Sequence, residues 1–454
     1  MPELFDVIII GAGQAGVPLA HALAQRGRRT ALVERKNLGG SCVNFGCTPT
    51  KAAIASARVA HLARRAREFG LRIPSVDVDF VAVIERARGI VNATRAGIER
   101  SFAGLDNPKL IHGQAKLDGR DGEHFVIATG SRLLSAEQVV LDTGTRSLIP
   151  PIDGIDAVDV IHAGNWLDHR ELPERLIVIG GGVIALEMAQ FYRRMGSSVT
   201  VLEASQQIAG TEDPDVAGAL KGILEREGIS FVLGASVRRI VNRGDEIAIL
   251  LGVGGTEILG SHLFIATGRQ PNTDDLGLDS VGVRSEKGII KVDERLATNV
   301  AGIWAAGDIR GGPMFTHTAW DDHRVLLSQI AGDGARTTMR VIPYAIYTDP
   351  EIGRVGMNEK AARASGTTIK VARFEVQRNS KAVELGETEG FIKVIVDAGN
   401  GQIIGATVFC YDAAELVHMY VDLMNAHAPY SVIREAIHIH PTLAKGIQSV
   451  LFDL

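Results

Sequence analysis

Cysteine is scarce in this sequence, which contains three cysteines among 454 residues. So few thiols are typical of a reducing compartment, where a disulfide tends to be catalytic rather than structural. Apolar runs long enough to span a membrane are also missing, and no basic leader or cleavage site precedes the first strand. We therefore expect a cytoplasmic protein with no membrane partner.

An excess of positive charge is missing as well, because the formal net charge is −5. A nucleic-acid partner would normally leave a basic footprint on the sequence, so we expect none. What the chain does have is 46% hydrophobic and 22% charged residues. Its length and this balance predict a globular protein of about three domains.

Two of the three cysteines, Cys42 and Cys47, lie close together within residues 39–51. An ideal helix would hold positions five apart at about 8.7 Å between Cα atoms, beyond the roughly 7 Å limit for a disulfide. The backbone must therefore bend, which Gly46 permits. A helix that begins near Pro49 would place Cys47 at its positive end, where the pKa of a thiol is lowered. The segment thus predicts a redox-active pair.

Two other interpretations of the pair are a structural disulfide and half of a metal site. Both are disfavoured, because no second cysteine pair or nearby Cys/His set supplies further ligands and the compartment is reducing. We therefore predict no metal site. The third cysteine, Cys410, lies alone in an apolar stretch and is predicted to be a small buried residue.

A dinucleotide-binding pattern opens the chain. A short β-branched run stops at Gly11, and Gly13 and Gly16 follow in GxGxxG spacing before an Ala/Leu-rich helix. Gly11 makes the turn, Gly13 lets the backbone approach a pyrophosphate at the helix N-terminus, and Gly16 lets helix and strand pack closely. The next strand ends in Glu34, whose carboxylate can accept hydrogen bonds from ribose hydroxyls. This order predicts a first dinucleotide site.

The same pattern returns 169 residues later, at Gly180 and Gly182. Ala185 replaces the third glycine, which this fingerprint tolerates. The following strand ends in Glu203, and residues 204–207 contain no arginine that could hold a 2′-phosphate. Two such units imply two dinucleotides, and the second unit favours NADH over NADPH.

Two later apolar strands close on Thr-Gly pairs, at residues 143–144 and 267–268, and we interpret them as the ends of the two nucleotide-binding domains. A similar Ala-Thr-Gly at 128–130 is interpreted as part of a hairpin strand. Another strand leads to Asp308, at the kind of strand end where ligands collect in open α/β sheets. From about residue 337, alternating strands and then two helical stretches predict an α+β domain.

These segments together resemble a known family. The motifs GxGxxG, GGxCxNxGCxPxK, GGGxxxxE, ATGRxPN, AxGD and HPT occur in the family's order over nearly the whole chain. On these motifs the chain resembles the FAD-dependent, two-cysteine pyridine nucleotide-disulfide oxidoreductases, such as dihydrolipoamide dehydrogenase, glutathione reductase and mercuric reductase. The resemblance implies an α/β fold with two Rossmann-like domains, for FAD and NAD(P), and a C-terminal α+β dimerisation domain of a homodimer. The expected ranges are 1–152 and 271–336 for FAD binding, 153–270 for NAD(P) binding and 337–454 for dimerisation.

The resemblance also implies roles for individual residues. The Cys47 thiolate would lie against the flavin, and Cys42 would exchange with substrate. Lys51 corresponds to the family lysine near flavin N5, with Glu187 as its partner. His440 matches the acid–base histidine that reaches Cys42 of the other subunit. The implied cofactor contacts are Gly11, Gly13, Gly16, Glu34, Gly40, Ser41, Thr143, Gly144 and Asp308 around FAD, and Gly180, Gly182, Glu203 and Gly268 around the nicotinamide cofactor.

The implied activity passes electrons between NAD(P)H, FAD, a Cys42–Cys47 disulfide and a disulfide or dithiol substrate. Val183, where glutathione reductases carry a tyrosine, favours the lipoamide branch, with a lipoyl-carrying protein as a candidate partner. One residue departs from the pattern: five positions after the histidine, the family's usual glutamate is Lys445, which would not support an imidazolium. Together with the likeness to mercuric reductases, Lys445 leaves an alternative open, a reductase of Hg(II), Cu(II) or quinones.

Overall fold

The structure is a computed structural model that describes residues 2–252 and 255–454. Met1 and residues 253–254, which fall within the first and second predicted domain ranges, lie outside the described residues. The first strands are β1 (Glu3–Ile10), β2 (Thr30–Glu34), β3 (Lys109–His112), β4 (Ala115–Asp121), β5 (His124–Thr129), β6 (Arg132–Leu141) and β7 (Thr145–Ser147). The first helices are α1 (Gly16–Gln25), α2 (Gly40–Asn44), α3 (Cys47–Arg64) and α4 (Phe80–Phe102).

The first sheet is built around β1, whose side chains are apolar on both faces. Ile8 and Ile9 are both fully buried, as expected for a central parallel strand covered on both sides. The strand order is β3-β2-β1-β6-β5-β4, with β1 parallel to β2 and β6. Strand β5 runs antiparallel to both β4 and β6, so the hairpin interpretation of residues 128–130 is confirmed.

The middle of the chain repeats this arrangement. Its strands are β8 (Val160–His162), β9 (Arg175–Ile179), β10 (Ser198–Glu203), β11 (Ile229–Leu233), β12 (Val237–Asn242), β13 (Ile247–Leu251), β14 (Thr256–Gly260), β15 (His262–Ile265) and β16 (Arg269–Pro271). Its helices are α5 (Val183–Met195) and α6 (Pro214–Arg226). A parallel sheet has the order β11-β10-β9-β15-β8, and β12, β13 and β14 form an antiparallel sheet beside it. Strand β16 then pairs with β7 and returns the chain to the first unit.

The chain after β16 completes the first sheet. It contains β17 (Ser285–Glu286), β18 (Ile289–Ile290), β19 (Ile303–Ala305) and α7 (Thr316–Ala331). Strand β19 lies parallel to β6, so this segment joins the first unit, in line with the expectation from the sequence. The domain boundaries themselves stay predictions.

The last part of the chain is an antiparallel sheet with short helices. Its strands are β20 (Pro343–Ile346), β21 (Glu351–Gly356), β22 (Ile369–Glu375), β23 (Phe391–Asp397) and β24 (Ile403–Cys410), in the order β20-β21-β24-β23-β22. Its helices are α8 (Glu359–Ala364), α9 (Ser380–Leu385), α10 (Ala413–Leu416), α11 (His418–Asn425), α12 (Ser431–Arg434) and α13 (Ala444–Ser449). The α+β pattern is as predicted, although several short helices take the place of two helical stretches. Cys410 is buried at the end of β24, which confirms its prediction.

Short 3-10 helices connect these elements at Ala66–Phe69, Ile155–Ala157, Trp166–Asp168, Leu278–Val281, Gly307–Arg310, Val376–Arg378 and Val450–Asp453. Across residues 2–252 and 255–454, no helix has both the length and the apolar character that crossing a bilayer requires.

Helices α3 and α5 pack against each other and join the first unit of the chain to the second. Small side chains on α3, such as Ala53, Ala57 and Ala60, are buried in the same apolar core as Leu186 and Ala189 of α5. Alanines at this three- and four-residue spacing lie on one face of a helix, where they allow a close approach. This contact fixes the start of α3 relative to the start of α5.

Candidate functional site

A cavity of about 1150 Å³ opens between the first sheet, the two-cysteine segment, the start of α5 and the start of α7. Most of the residues that the sequence singled out meet here, although they come from segments far apart in the chain. The predicted residues that line it are Gly11, Gly13, Glu34, Gly40, Ser41, Cys42, Cys47, Lys51, Thr143, Gly144, Glu187 and Asp308.

The first glycine turn forms one wall of this cavity and cannot accept side chains. Gly11 has φ +109°, and a Cβ there would lie 2.2 Å from the carbonyl oxygen of Asp142. A Cβ on Gly13 would lie 2.8 Å from the Asp142 carboxylate, and one on Gly16 only 2.1 Å from the oxygen of Gly11. The Glu34 carboxylate accepts a hydrogen bond of 2.9 Å from the Ala12 amide. The turn is therefore a tight backbone cradle of the kind that admits a dinucleotide pyrophosphate.

Asp142 lines the cavity and supports the first glycine turn, and the sequence reasoning did not single it out. Its side chain is buried, and its carboxylate accepts a 2.8 Å hydrogen bond from the amide of Gly16 at the start of α1. Burial raises the pKa of Asp142 well above its ordinary value. The one available signal was its position, an acid at the end of an apolar strand, directly before Thr143 and Gly144.

The opposite rim of the first unit holds Asp308 in a fixed orientation. Its carboxylate accepts a 2.9 Å hydrogen bond from the hydroxyl of Thr145 and lies 3.6 Å from the guanidinium of Arg269. Thr143 is tied to Asn272 by bonds of 2.9 Å and 2.8 Å in opposite directions. These contacts join the end of the first unit to the segment that returns from the second.

The two cysteines lie on either side of a break in the helix. Cys42 belongs to α2 and Cys47 begins α3, two residues before the predicted start at Pro49. Gly46 separates the helices with φ −98° and ψ −119°, and a Cβ there would meet the carbonyl oxygen of Ser41 at 2.9 Å. The bend that a disulfide requires is therefore present, and Cys47 has the predicted place at a helix N-terminus.

The environment of the pair places negative charge on Cys47. A hydrogen bond from the Cys42 thiol lowers the pKa of Cys47, and the hydroxyl of Thr316, 3.0 Å from its sulfur, and the charge of Lys51 lower it further. The same hydrogen bond raises the pKa of Cys42. A reduced pair therefore consists of a Cys47 thiolate and a Cys42 thiol. Thr316, at the start of α7, was not foreseen because it lies 269 positions from Cys47.

Lys51 and Glu187 form an ion pair on the wall of the same cavity. The Nζ of Lys51 lies 2.7 Å from the carboxylate of Glu187, which is 5% exposed. The other carboxylate oxygen accepts a 2.9 Å bond from the amide of Tyr347, whose ring lies 4.4 Å from Nζ. Because Lys51 is on α3 and Glu187 on α5, the pair joins the two glycine units beside the cysteines. Tyr347 is a further contact that the sequence did not indicate.

The second glycine turn lies apart from the residues that line the cavity. Gly180 has φ +112°, and its Cβ would meet the oxygen of Ala266 at 2.4 Å. The Glu203 carboxylate accepts a 2.5 Å hydrogen bond from the Gly181 amide and further bonds from Ser205. Gly182 has open space around its Cβ position. The turn thus has the same backbone form and the same acid as the first.

Two predicted residues lie elsewhere. Gly268 is at the crossing between the units, where its carbonyl oxygen accepts a hydrogen bond of 3.0 Å from Leu148. His440 is exposed and does not line the cavity of its own chain. Its neighbours Ile437 and Ile439 are 101% and 78% exposed, and Lys445 donates to Gln448 at 2.5 Å. A single chain therefore does not bring His440 to Cys42.

Comparisons with known proteins agree with this geometry. The pyridine nucleotide-disulphide oxidoreductase family matches residues 5–322, and the dimerisation domain of that family matches residues 342–450. The probable pyridine nucleotide-disulfide oxidoreductase RclA of Escherichia coli is 33% identical over 456 residues, which cover 99% of both chains. The dihydrolipoyl dehydrogenase of Chlorobaculum tepidum is 33% identical over 454 residues, which cover 99% of this chain and 97% of that protein.

A solved structure gives the same result in three dimensions. The Cu(II) complex of HOCl-induced flavoprotein disulfide reductase RclA from Escherichia coli superposes over 100% of both chains with a TM-score of 0.90 and 32% identity. The predicted α/β fold class and the family resemblance are confirmed. The metal-ion or quinone reductase alternative is not favoured. The chain belongs to the pyridine nucleotide-disulphide oxidoreductases and is an FAD-dependent disulfide oxidoreductase of dihydrolipoyl dehydrogenase-like type.

Proposed function

We propose that this chain links NADH, in preference to NADPH, to a small disulfide or dithiol of lipoamide type through the Cys42–Cys47 pair. The observation that carries the proposal is the position of the two sulfurs, which share one cavity with the first glycine turn and with the Lys51–Glu187 pair. The preference for NADH rests on Glu203 and on the absence of arginine from residues 204–207.

The residues around the cavity fit FAD. The turn at Gly11 and Gly13 would receive the pyrophosphate, Glu34 a ribose, and Asp308 the ribityl chain. When bound, FAD supplies the two-electron transfer that connects a nicotinamide to a disulfide. Lys51 would hold a positive charge beside the ring, and Glu187 keeps that charge in place.

The pair itself carries the exchange with substrate. The Cys42 thiol first loses its proton. The resulting thiolate attacks one sulfur of the substrate disulfide, forms a mixed disulfide and releases one substrate thiolate. The Cys47 thiolate then attacks the sulfur of Cys42, which restores the Cys42–Cys47 bond and releases the second substrate thiolate. We propose that His440 from a second copy of the chain takes up the proton of Cys42 and returns it to the leaving thiolate.

This arrangement requires a homodimer. The C-terminal segment matches a dimerisation domain, and the exposed Ile437 and Ile439 beside His440 are apolar surface that a second copy would cover. A lipoyl-carrying protein is the proposed macromolecular partner, and the cytoplasm the proposed location, because the pair must cycle through its dithiol form.

The proposal is tested by a screen of acceptors with NADH and NADPH side by side. The acceptors are lipoamide, oxidised glutathione, a quinone and Cu(II), which is included because one solved relative is a Cu(II) complex. The reverse reaction, NAD⁺ with dihydrolipoamide, is measured in parallel. We expect turnover with lipoamide or dihydrolipoamide that Cys42→Ser abolishes, whereas Cys410→Ser, at a buried cysteine that does not line the cavity, is the matched control.

Absence of turnover with every disulfide and dithiol would refute the proposal. NADH oxidation driven by Cu(II) or the quinone, lost in Cys42→Ser, would replace it with the metal-ion or quinone alternative.

A further inference from the structure

A second cavity, of about 330 Å³, lies at the far ends of the two helices that begin at the active site. Helix α3 begins at Cys47 and ends at Arg64, and α5 carries Glu187 and ends at Met195. At 1.5 Å per residue the cavity is roughly 25 Å from Cys47 along α3. We call it the basic cavity; it is lined by His61, Arg64, Arg193, Arg194, Gly196, Arg226 and Glu227. Its volume is at the lower end of the range for small-molecule sites.

The basic cavity has more positive charge than its own carboxylates neutralise. Glu227 pairs with Arg194 at 2.7 Å, and Asp349 also contacts Arg194 at 2.6 Å. Arg226 pairs with Glu389 at 2.8 Å, but both side chains are more than half exposed, so that pair contributes little.

The other two guanidiniums bond to main-chain oxygens. Arg64 donates to the carbonyl of Arg194 at 2.5 Å, and Arg193 donates to that of Glu227 at 2.8 Å. A carbonyl satisfies a donor without cancelling its charge. Within residues 2–252 and 255–454, no carboxylate forms an ion pair with Arg64 or Arg193. The basic cavity therefore has a net positive charge in a chain whose formal net charge is −5.

Burial and the neighbouring positive charges lower the pKa values of two residues of this cavity. Burial and then the charges of Arg193 and Arg194 lower the pKa of Arg64. Burial, followed by the charge of Arg194, lowers the pKa of His61 to about 4, so His61 is a neutral hydrogen-bonding group at pH 7. A cation at the end of one helix is explained by the helix dipole. The dipole does not explain why the ends of α3 and α5 place their cations around one shared cavity.

We propose that the basic cavity binds a phosphate-type anion that bridges the ends of α3 and α5. Guanidinium groups are the side chains of choice for phosphate because their donors match its oxygens in pairs. The remaining donors of Arg64, Arg193 and Arg226 supply the charge, and the neutral ring of His61 supplies a hydrogen bond. Two sources share this chemistry, a free inorganic phosphate or pyrophosphate and a phosphate carried by a nucleotide.

The site is tested on the FAD-loaded, full-length protein by calorimetric titration. The probes are orthophosphate, pyrophosphate and ADP, at an ionic strength held constant with sodium chloride. The variants are Arg64→Gln and Arg226→Gln, which each remove one guanidinium of the cavity at an exposed position. Arg67→Gln is the matched control, because Arg67 is exposed close to Arg64 but does not line the basic cavity.

We expect one anion per chain, bound about tenfold or more weakly by each cavity variant, as for loss of a charge-assisted hydrogen bond, and unchanged in Arg67→Gln. Tighter binding of pyrophosphate than of ADP would assign a free anion, and the reverse order a nucleotide phosphate, provided that the cavity variants weaken it. Failure of all three probes to bind, or binding that both cavity variants leave unchanged, would overturn the proposal. This outcome is independent of the redox activity, since the titration contains no substrate.

Discussion

The two glycine turns share a backbone form but differ in what stands behind them. In both turns the first glycine has a positive φ. In both, a carboxylate accepts a hydrogen bond from a backbone amide of the turn: Glu34 from Ala12, and Glu203 from Gly181. Behind the first turn lies the buried carboxylate of Asp142. The equivalent position after β15 is Ala266, whose side chain is a single methyl group.

The difference extends to the third glycine. Gly16 has no Cβ, and its amide donates to Asp142 at 2.8 Å. The second unit has Ala185 at this position, fully buried in an apolar core against which Ala266 also packs. The glycine and the buried acid therefore occur together, and the alanine occurs where the acid is missing. The backbone of the turn has the same form in both units. In the first unit the Asp142 side chain occupies the space beside the second glycine, Gly13, whereas the space beside the equivalent Gly182 is open.

The largest difference between the two turns is expected when one methyl group is added to the second glycine of each. A Cβ on Gly13 would lie 2.8 Å from the Asp142 carboxylate, which cannot move away because it is buried and bonded to Gly16. We expect Gly13→Ala to lower the flavin content of purified protein by about tenfold or more, since a displacement of this kind costs about 1–3 kcal/mol. The measurement is the ratio of flavin to protein absorbance.

Gly182→Ala is the matched variant in the second unit. The space around its Cβ position is open, so the protein should fold and keep its flavin, while the Michaelis constant for NADH rises because the added methyl group approaches the pyrophosphate. Equal loss of flavin in both variants would show that the two turns do not differ in the way proposed.

The ion pair that joins the two units gives the next largest effect. Glu187→Gln keeps an acceptor for the Tyr347 amide but leaves the Lys51 charge without its partner. Breaking a buried pair costs about 3–5 kcal/mol, and because Lys51 is 32% exposed we expect a smaller loss of about 2 kcal/mol. It would appear as a lower urea midpoint for unfolding with an unchanged slope.

Glu225→Gln provides the control for that measurement. Glu225 pairs with Lys221 one turn away on α6, but its carboxylate is 44% exposed where that of Glu187 is 5% exposed, so its removal should cost less than about 0.5 kcal/mol. If Glu187→Gln had no larger effect than Glu225→Gln, the Lys51–Glu187 pair would not hold the units together.

The sequence indicated the features of this comparison that lie within a few tens of residues. The two turns and the acids Glu34 and Glu203 follow from local spacing, because one strand-turn-helix-strand unit contains each set. The Lys51–Glu187 pair, 136 positions apart, was reached only through the family resemblance. Local patterns fix which elements form, but they do not fix which elements become neighbours.

The contacts that sequence reasoning missed depend on which elements become neighbours in the fold. Asp142 meets Gly16 because β6 lies beside β1, and Thr316 meets Cys47 because β19 returns the chain to the first sheet. Both are ordinary polar residues at the end or start of an element, with no motif to single them out. His440 differs again, because its proposed partner belongs to a second copy of the chain.

The buried carboxylate of Asp142 should give the first unit a pH dependence that the second lacks. Its pKa is raised in the folded state, so the folded chain holds the proton more tightly than the unfolded chain, where the pKa is about 3.9. The contribution of protonated Asp142 to the free energy of unfolding is then fully present below about pH 4. It is lost as pH rises towards the folded pKa, by about 1.4 kcal/mol per pH unit.

Asp142→Asn should remove this loss, because the amide stays neutral and can still accept from Gly16. The measurement is the urea midpoint of the variant and of the unsubstituted protein at a series of pH values. Asp156→Asn, at an exposed position, should leave the pH dependence unchanged. Parallel pH curves for Asp142→Asn and the unsubstituted protein would mean that Asp142 is ionised in the folded chain.

The smallest effect concerns which part of the chain sets the pKa of Cys47. Lys51, on α3, and Thr316, at the start of α7, lower the pKa of Cys47, whereas the charge of Glu187 on α5 of the second unit raises it. Loss of the Thr316 hydroxyl removes one hydrogen bond to the charged thiolate, worth about 1.5 kcal/mol, so the pKa of Cys47 should rise by about one. Alkylation of Cys47 by iodoacetamide in the reduced protein, followed by mass spectrometry at pH 6 to 9, should be several-fold slower at the acid end in Thr316→Val and normal in Thr316→Ser. Normal alkylation in both variants would leave Cys42 and Lys51 as the groups that hold the charge on Cys47.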